Sequence, residues 1–146
     1  HRIIPGQTSF IKPNAGAAHW PRPASNGALS HRWMTVSRHI ESPAGSGWCV
    51  QGGGSVESIF GGRFSDETFK LKHDRPGVLS MANAGPDTNG AGFFITCVTA
   101  PENDGRHVAF GMVTSGMDVV RAIEAVGSAG TGAPLQVVTI IDCGQL

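Results

Sequence analysis

Hydrophobic and polar positions alternate in an orderly way from Trp48 onward, where short apolar runs are separated by turn signals. Trp48–Gln51 is a short apolar run stopped by Gly52-Gly53-Gly54, which predicts a strand end. Val78–Met81 follows the turn signal Arg75-Pro76-Gly77, and Phe93–Val98 is a β-branched and aromatic run of the buried-strand type. In Val108–Val113, Val108, Phe110 and Met112 alternate with Ala109 and Gly111, and Val137–Asp142 closes the series. One segment has helical spacing: Val119, Val120, Ile123 and Val126 predict a helix over Met117–Val126. Ser115 with Asp118 three residues later resembles a capping box, and Gly127 is a C-terminal stop. Several short strands, frequent turns and one helix predict a mainly β barrel or sandwich with a helix packed over it.

Residues 7–47 follow neither period. They hold one acid, Glu41, against Lys12, Arg22, Arg32 and Arg38, with prolines at Pro13, Pro21, Pro23 and Pro43. Trp33, Met34, Val36 and Ile40 suit one helical turn or a short strand, but no pattern persists. Structureless loops longer than about 15 residues are uncommon in compact domains. The stretch is therefore expected to be an insertion, largely irregular, inside a single domain spanning 1–146.

Composition narrows the function classes. Of 146 residues, 21 are glycine and 9 proline, above the ~12 % that the two usually make up, as a turn-rich β protein requires. Eleven basic side chains balance eleven acidic ones, so the chain lacks the basic footprint that nucleic-acid binding needs. No apolar run approaches the roughly 20 residues of a membrane span. No basic start followed by an apolar stretch marks a signal peptide, which leaves the cytoplasm as the default expectation. Cys49, Cys97 and Cys143 form no CxxC pair and are expected to be small buried thiols. The histidines are scattered without metal-ligand spacing, so no metal site and no cofactor are predicted.

Longer strings are more specific. His1-Arg2-Ile3-Ile4-Pro5-Gly6, Val50-Gln51-Gly52-Gly53, Ser58-Ile59-Phe60-Gly61 and Phe64-Ser65-Asp66-Glu67 come first, in that order. Leu79-Ser80-Met81-Ala82-Asn83-Ala84-Gly85-Pro86, Phe93-Phe94-Ile95-Thr96 and Asp104-Gly105-Arg106-His107-Val108-Ala109-Phe110-Gly111 follow, and Asp142-Cys143-Gly144-Gln145-Leu146 ends the chain. Over residues 1–6 and 48–146 the sequence resembles the cyclophilins, the cyclosporin-binding class of peptidyl-prolyl isomerases. The resemblance implies a closed antiparallel β-barrel capped by helices, with an active groove on its outer face. The partners it implies are proline-containing peptides or unfolded proteins.

Mapped by motif, the resemblance makes Arg2 the catalytic arginine. Phe94 and His107 correspond to the floor and wall of a proline pocket, and Trp48 and Cys49 to apolar wall positions usually held by phenylalanine and methionine. Gln51 corresponds to a residue that hydrogen-bonds the substrate and steadies the arginine. Ala82, Asn83 and Ala84 match the segment that pairs with the substrate backbone. Asn103 stands at a pocket position that is usually leucine.

Several positions depart from the family pattern. Gly92 replaces a glutamine that touches substrate, and Glu102 replaces the tryptophan that donates to cyclosporin, so weak binding of that drug is expected. Only Gly54-Ser55-Val56 links Gly53 to Glu57, where a longer loop usually borders the groove. The strands and helix that usually precede the His1–Gly6 motif are absent from this sequence, so the barrel is expected to be incomplete at its N-terminus. The 7–47 stretch folding back, a partner chain covering the open edge, and translation of a non-coding stretch are the three accounts of this. Two functions follow: a peptidyl-prolyl isomerase of reduced activity, or a cyclophilin-derived binding or structural module in a larger assembly.

Overall fold

The structure is a computed structural model in which residues 47–53, 58, 60–128 and 133–136 are described, together with the backbone pairing of 11–13, 35–36 and 138–139. Along the chain the strands are β1 (Ile11–Pro13), β2 (Thr35–Val36), β3 (Cys49–Gly52), β4 (Val78–Met81), β5 (Phe93–Thr96), β6 (Ala109–Val113) and β7 (Val138–Thr139). Helix α1 (Met117–Ala125) lies between β6 and β7, and a short 3-10 helix, Pro101–Asn103, precedes β6. Among the described residues no helix is long and apolar enough to cross a membrane.

One sheet of five strands runs β1-β6-β4-β5-β3, and β2 pairs separately with β7. Every pairing is antiparallel. The five-stranded sheet does not close among the described residues, leaving β1 and β3 as its edges. An open antiparallel sheet with one helix is what the expected mainly β, incomplete barrel would leave.

Both strands before residue 47 fall inside the stretch whose pattern predicts little regular structure. Their partners make them strands: Ile11, Lys12 and Pro13 lie opposite Val113, Met112 and Gly111, and Thr35 and Val36 lie opposite Thr139 and Val138. Pro13 has no N–H to offer, and β1 is an edge strand of the sheet among the described residues, where proline is tolerated.

Strand β4 spans the predicted residues, because Gly77 makes the sharp entry at φ 85° and donates its N–H to the Thr96 carbonyl at 2.7 Å. Strand β5 stops two residues before the predicted end. The Thr96 hydroxyl ends it by turning back, donating to the Arg75 carbonyl and accepting the Val78 N–H, both at 2.9 Å. Val98, left beyond the sheet, is exposed.

Register assigns the two faces. Val50, Ile95 and Leu79 lie opposite one another across β3, β5 and β4. Val50 and Ile95 pack with Cys97 and Val113 against Val120, Met117 and Ile123 of α1. Buried apolar side chains of this size contribute roughly 1.5–3 kcal/mol each, so this face anchors the helix to the sheet. Burial pushes the Cys97 thiol pKa up to about 12, and it stays an inert core residue. Gln51 and Ser80 both lie opposite Phe94, and Cys49 lies opposite Thr96, all on the other face.

The capping box expected at Ser115 and Asp118 does not form. The N-cap is Gly116, at φ 82°, with no side-chain cap bond. Its carbonyl accepts the Val119 N–H at 3.0 Å, so the turn is closed by the backbone. Gly116→Ala is expected to lower stability by about 1–2 kcal/mol, because a Cβ is strained in the left-handed region, whereas Ser115→Ala should change it by less than about 0.5 kcal/mol. Urea unfolding of both variants measures this, and a larger loss for Ser115→Ala would reinstate the serine as the cap.

Candidate functional site

Phe94 is the centre of the face opposite α1. The edge of Trp48 meets its ring at 5.3 Å between centroids and 71°, and His107 meets it at 5.3 Å and 84°. His73 stacks on it at 5.8 Å and 18°. Edge-to-face and offset-stacked arrangements are the favoured geometries for such rings. Phe94 is 2 % exposed, so a ligand reaches its face only when part of its cover yields. Gln51, directly opposite on β3, projects to the same side as Phe94. Cys49 is also on that side but fully buried, which puts it beneath the pocket surface.

His107 is positioned from both sides. Its main-chain N–H donates to the Asn103 carbonyl at 3.0 Å, and its Nδ1–H donates to the Met81 carbonyl at 3.0 Å. Burial holds its pKa below the ordinary 6.5, outweighing the opposing hydrogen bond to Met81. The ring is therefore neutral at pH 7, with Nε2 left as an acceptor. Asn103, in the 3-10 helix, is buried at 8 % exposure with its Nδ2 unpartnered, and Trp48 Nε1 is likewise a buried donor without a partner.

The 82–84 segment is partly committed to its own turn. Ala82 donates its N–H to the Gly92 carbonyl at 3.0 Å, continuing the β4–β5 pairing, and Ala84 donates to Thr88 Oγ at 2.9 Å. The Asn83 side chain donates to the Arg106 carbonyl at 3.0 Å and to Asn89 Oδ1 at 3.3 Å. Asn83 main-chain groups bond to no described residue, which makes it the part of the segment open to a peptide backbone. Behind it Asn89, fully buried, donates to Asp66 Oδ1 at 2.8 Å, and Asp66 and Asp87 exchange main-chain to carboxylate bonds at 2.8 and 3.0 Å. A cleft of about 420 Å³ opens beside His107, lined also by Asn83, Phe69, Pro86, Asp66 and Arg106.

Trp48, Gln51 and His107 are thus gathered around Phe94, with Asn103 bonded to the His107 main chain and Asn83 along the adjoining cleft. Gly53, at φ 77°, turns the chain away after β3, and a Cβ there would run into the Ala91 carbonyl. Arg2 lies outside the described residues. Among the described residues no cluster of three metal-ligating side chains occurs. The sequence reading missed His73, Ser80 and Asp104, which together support Phe94. The available signal was Ser80, a polar residue inside the buried strand Val78-Leu79-Ser80-Met81, since a buried hydroxyl must find a partner.

A family model described as cyclophilin type peptidyl-prolyl cis-trans isomerase/CLD matches residues 34–145. The match takes in β2 and every element after it.

Asp104 accepts both the main-chain N–H and the Nδ1–H of His73, each at 2.9 Å. These two bonds hold its carboxyl below the usual carboxylate range. Because the folded value is depressed, its contribution to stability is complete above the unfolded value and is lost as pH falls through the folded one. Stability measured by urea unfolding should therefore drop as pH falls below about 4, with a shallower slope in Asp104→Asn. Equal slopes in the two proteins would show that the carboxylate is not clamped.

Proposed function

The chain belongs to the cyclophilin-type peptidyl-prolyl cis-trans isomerase family, and on that premise we propose that it accelerates rotation about Xaa-Pro bonds in peptides and unfolded chains, at a reduced rate. The observation that carries this reading is the convergence of Trp48, Gln51 and His107 around Phe94 on the sheet face away from α1.

Rotation about an Xaa-Pro bond is opposed by a barrier of about 20 kcal/mol, because amide resonance must be broken. No bond to the peptide is made or cut, so the chemistry needs an apolar cup for the ring and a donor for the prolyl nitrogen. That nitrogen regains a localised lone pair as the bond twists. A guanidinium suits it, being always charged and rigid, and Arg2 is proposed to supply it. Phe94 and His107 hold the ring, Trp48 and Cys49 back the cup, and Gln51 takes the peptide carbonyl or steadies Arg2. Asn83 pairs with the peptide backbone through its open main-chain groups.

Three features lower the rate. The proline ring must displace a neighbour of Phe94 to enter. Asn103 brings an unpaired amide to an apolar wall, and such a group costs about 1–3 kcal/mol. Gly92 offers no side chain where a polar contact is expected. The covered face of Phe94 also supports the second reading, a binding module whose groove does not turn over.

A peptide isomerisation assay with circular dichroism on the parent and Arg2→Ala separates the two. The isomerase reading expects a measurable parental rate and a loss of about tenfold to a hundredfold in a folded Arg2→Ala, which is about 1.4–2.7 kcal/mol of transition-state stabilisation. In the parent, kcat/KM should stay flat through neutrality and past 6.5, and fall only as the pH nears the lowered His107 pKa. A folded parent with no rate above the uncatalysed one leaves the binding module.

Cyclosporin binding gives a separate check. Glu102 is exposed and, when ionised, offers no donor. Calorimetry should show affinity at least about tenfold below that of the Glu102→Trp, Asn103→Leu double variant, a gap of about 1.4 kcal/mol. Equal affinities would mean that this loop does not face the drug.

A further inference from the structure

We propose that His73 is a positioning residue for this site, a buried imidazole that holds Phe94 and the turn carrying Asn103 and His107 in fixed relation. His73 is 0 % exposed, so it touches no peptide and acts only through its neighbours. Asp104 follows Asn103 in the chain, and its carboxylate can only accept, so the proton sits on Nδ1, which donates to Asp104 Oδ1 at 2.9 Å. Nε2 is hydrogen-bonded to the Ser80 hydroxyl at 2.9 Å. Ser80 lies directly opposite Phe94 in the sheet, and the imidazole plane stacks 5.8 Å from the Phe94 centroid. The His73 main chain binds the same turn twice more, through its N–H to Asp104 Oδ1 and its carbonyl to the Ala100 N–H, both at 2.9 Å.

A core aromatic would supply the stacking alone. Two directed bonds to separate elements do more: they set the ring's rotation, and with it the seat of Phe94 against β4. They also set the distance from β4 to the turn that delivers His107 to the edge of Phe94. Small displacements of groups that hold a reacting bond are expensive in rate. Loss of the imidazole nitrogens should therefore lower turnover more than ground-state binding. Only that kinetic consequence rests on the isomerase reading; the seating of Phe94 does not.

The test compares the full chain with His73→Phe and Ser80→Ala. The readouts are peptide isomerisation, calorimetric peptide affinity, thermal midpoint and the aromatic NMR signals of Phe94, identified through Phe94→Leu. His73→Phe should shift the Phe94 signals and lower kcat/KM by about tenfold or more, while peptide affinity changes by less than about threefold. Asp104→Asn, which keeps an accepting oxygen, should lose less rate than Asp104→Ala. Folded His73→Phe and Ser80→Ala proteins with parental Phe94 signals and parental kcat/KM would overturn the proposal, as would a rate loss that only follows a falling folded fraction. If His73→Phe does not fold, the Phe94 signals of Ser80→Ala decide. If the parent itself shows no turnover, the isomerase reading falls, and the Phe94 signals still settle whether His73 seats that ring.

Discussion

A buried imidazole must satisfy both of its nitrogens, and His73 does so by linking parts of the chain that are distant in sequence. Asp104 takes one nitrogen, Ser80 the other, and the ring's face lies on Phe94. Low dielectric strengthens such bonds when all are made and penalises the group severely when any is missing. The arrangement is therefore close to all-or-none. Once made, it determines where β4, Phe94 and the 100–107 turn stand with respect to one another. The remaining site geometry, including the edge contact of His107, is built outward from it.

A second polar device holds the turn that lines the cleft beside His107. Asn89 is buried under the turn that presents Asn83, and Asp66 and Asp87 lock that turn to the strand-like pairing of Phe64 with Asn89. Both devices use short side chains whose carboxylates and amides cap main-chain N–H groups. They give a loop-built rim the rigidity that the small sheet does not extend to it. The apolar work is done on the other face, where Val50, Cys97, Ile95 and Val113 clasp α1. Structure and site thus use opposite faces of one sheet, and the polar groups lie on the side where function is proposed.

The unpaired donors of Trp48 and Asn103 run against this economy. Trp48 meets the Phe94 ring and Asn103 binds the His107 main chain, and both stand at positions that the resemblance makes apolar or differently filled. Local rules that are broken at a site are commonly tied to what the site does. Here they coincide with the covering of Phe94, and the two together explain why the same geometry supports both a slow isomerase and a quiet binding surface.

Much of this was legible along the chain. Periodicity marked β3 to β6 and α1 to within a few residues, because each carries its own apolar pattern and its own turn residues. Motif strings named Trp48, Gln51, Phe94 and His107 as neighbours, and the fold brings them around one ring. Strand β1 was not legible, and β2 only as the short-strand alternative around Val36, since residues in an aperiodic stretch become strands only when β6 and β7 offer them hydrogen bonds. Ser115 looked like a cap, but the backbone turns through Gly116 instead. His73 is, in the sequence, one of the scattered histidines; its burial, its two partners and its place behind Phe94 arise only when β4 and the 100–107 turn meet. Sequence by itself determined which residues prefer strand, helix or turn, because those preferences are local. Tertiary structure alone decided which polar groups are buried and which partners they find, because that depends on contacts between segments that no local pattern encodes.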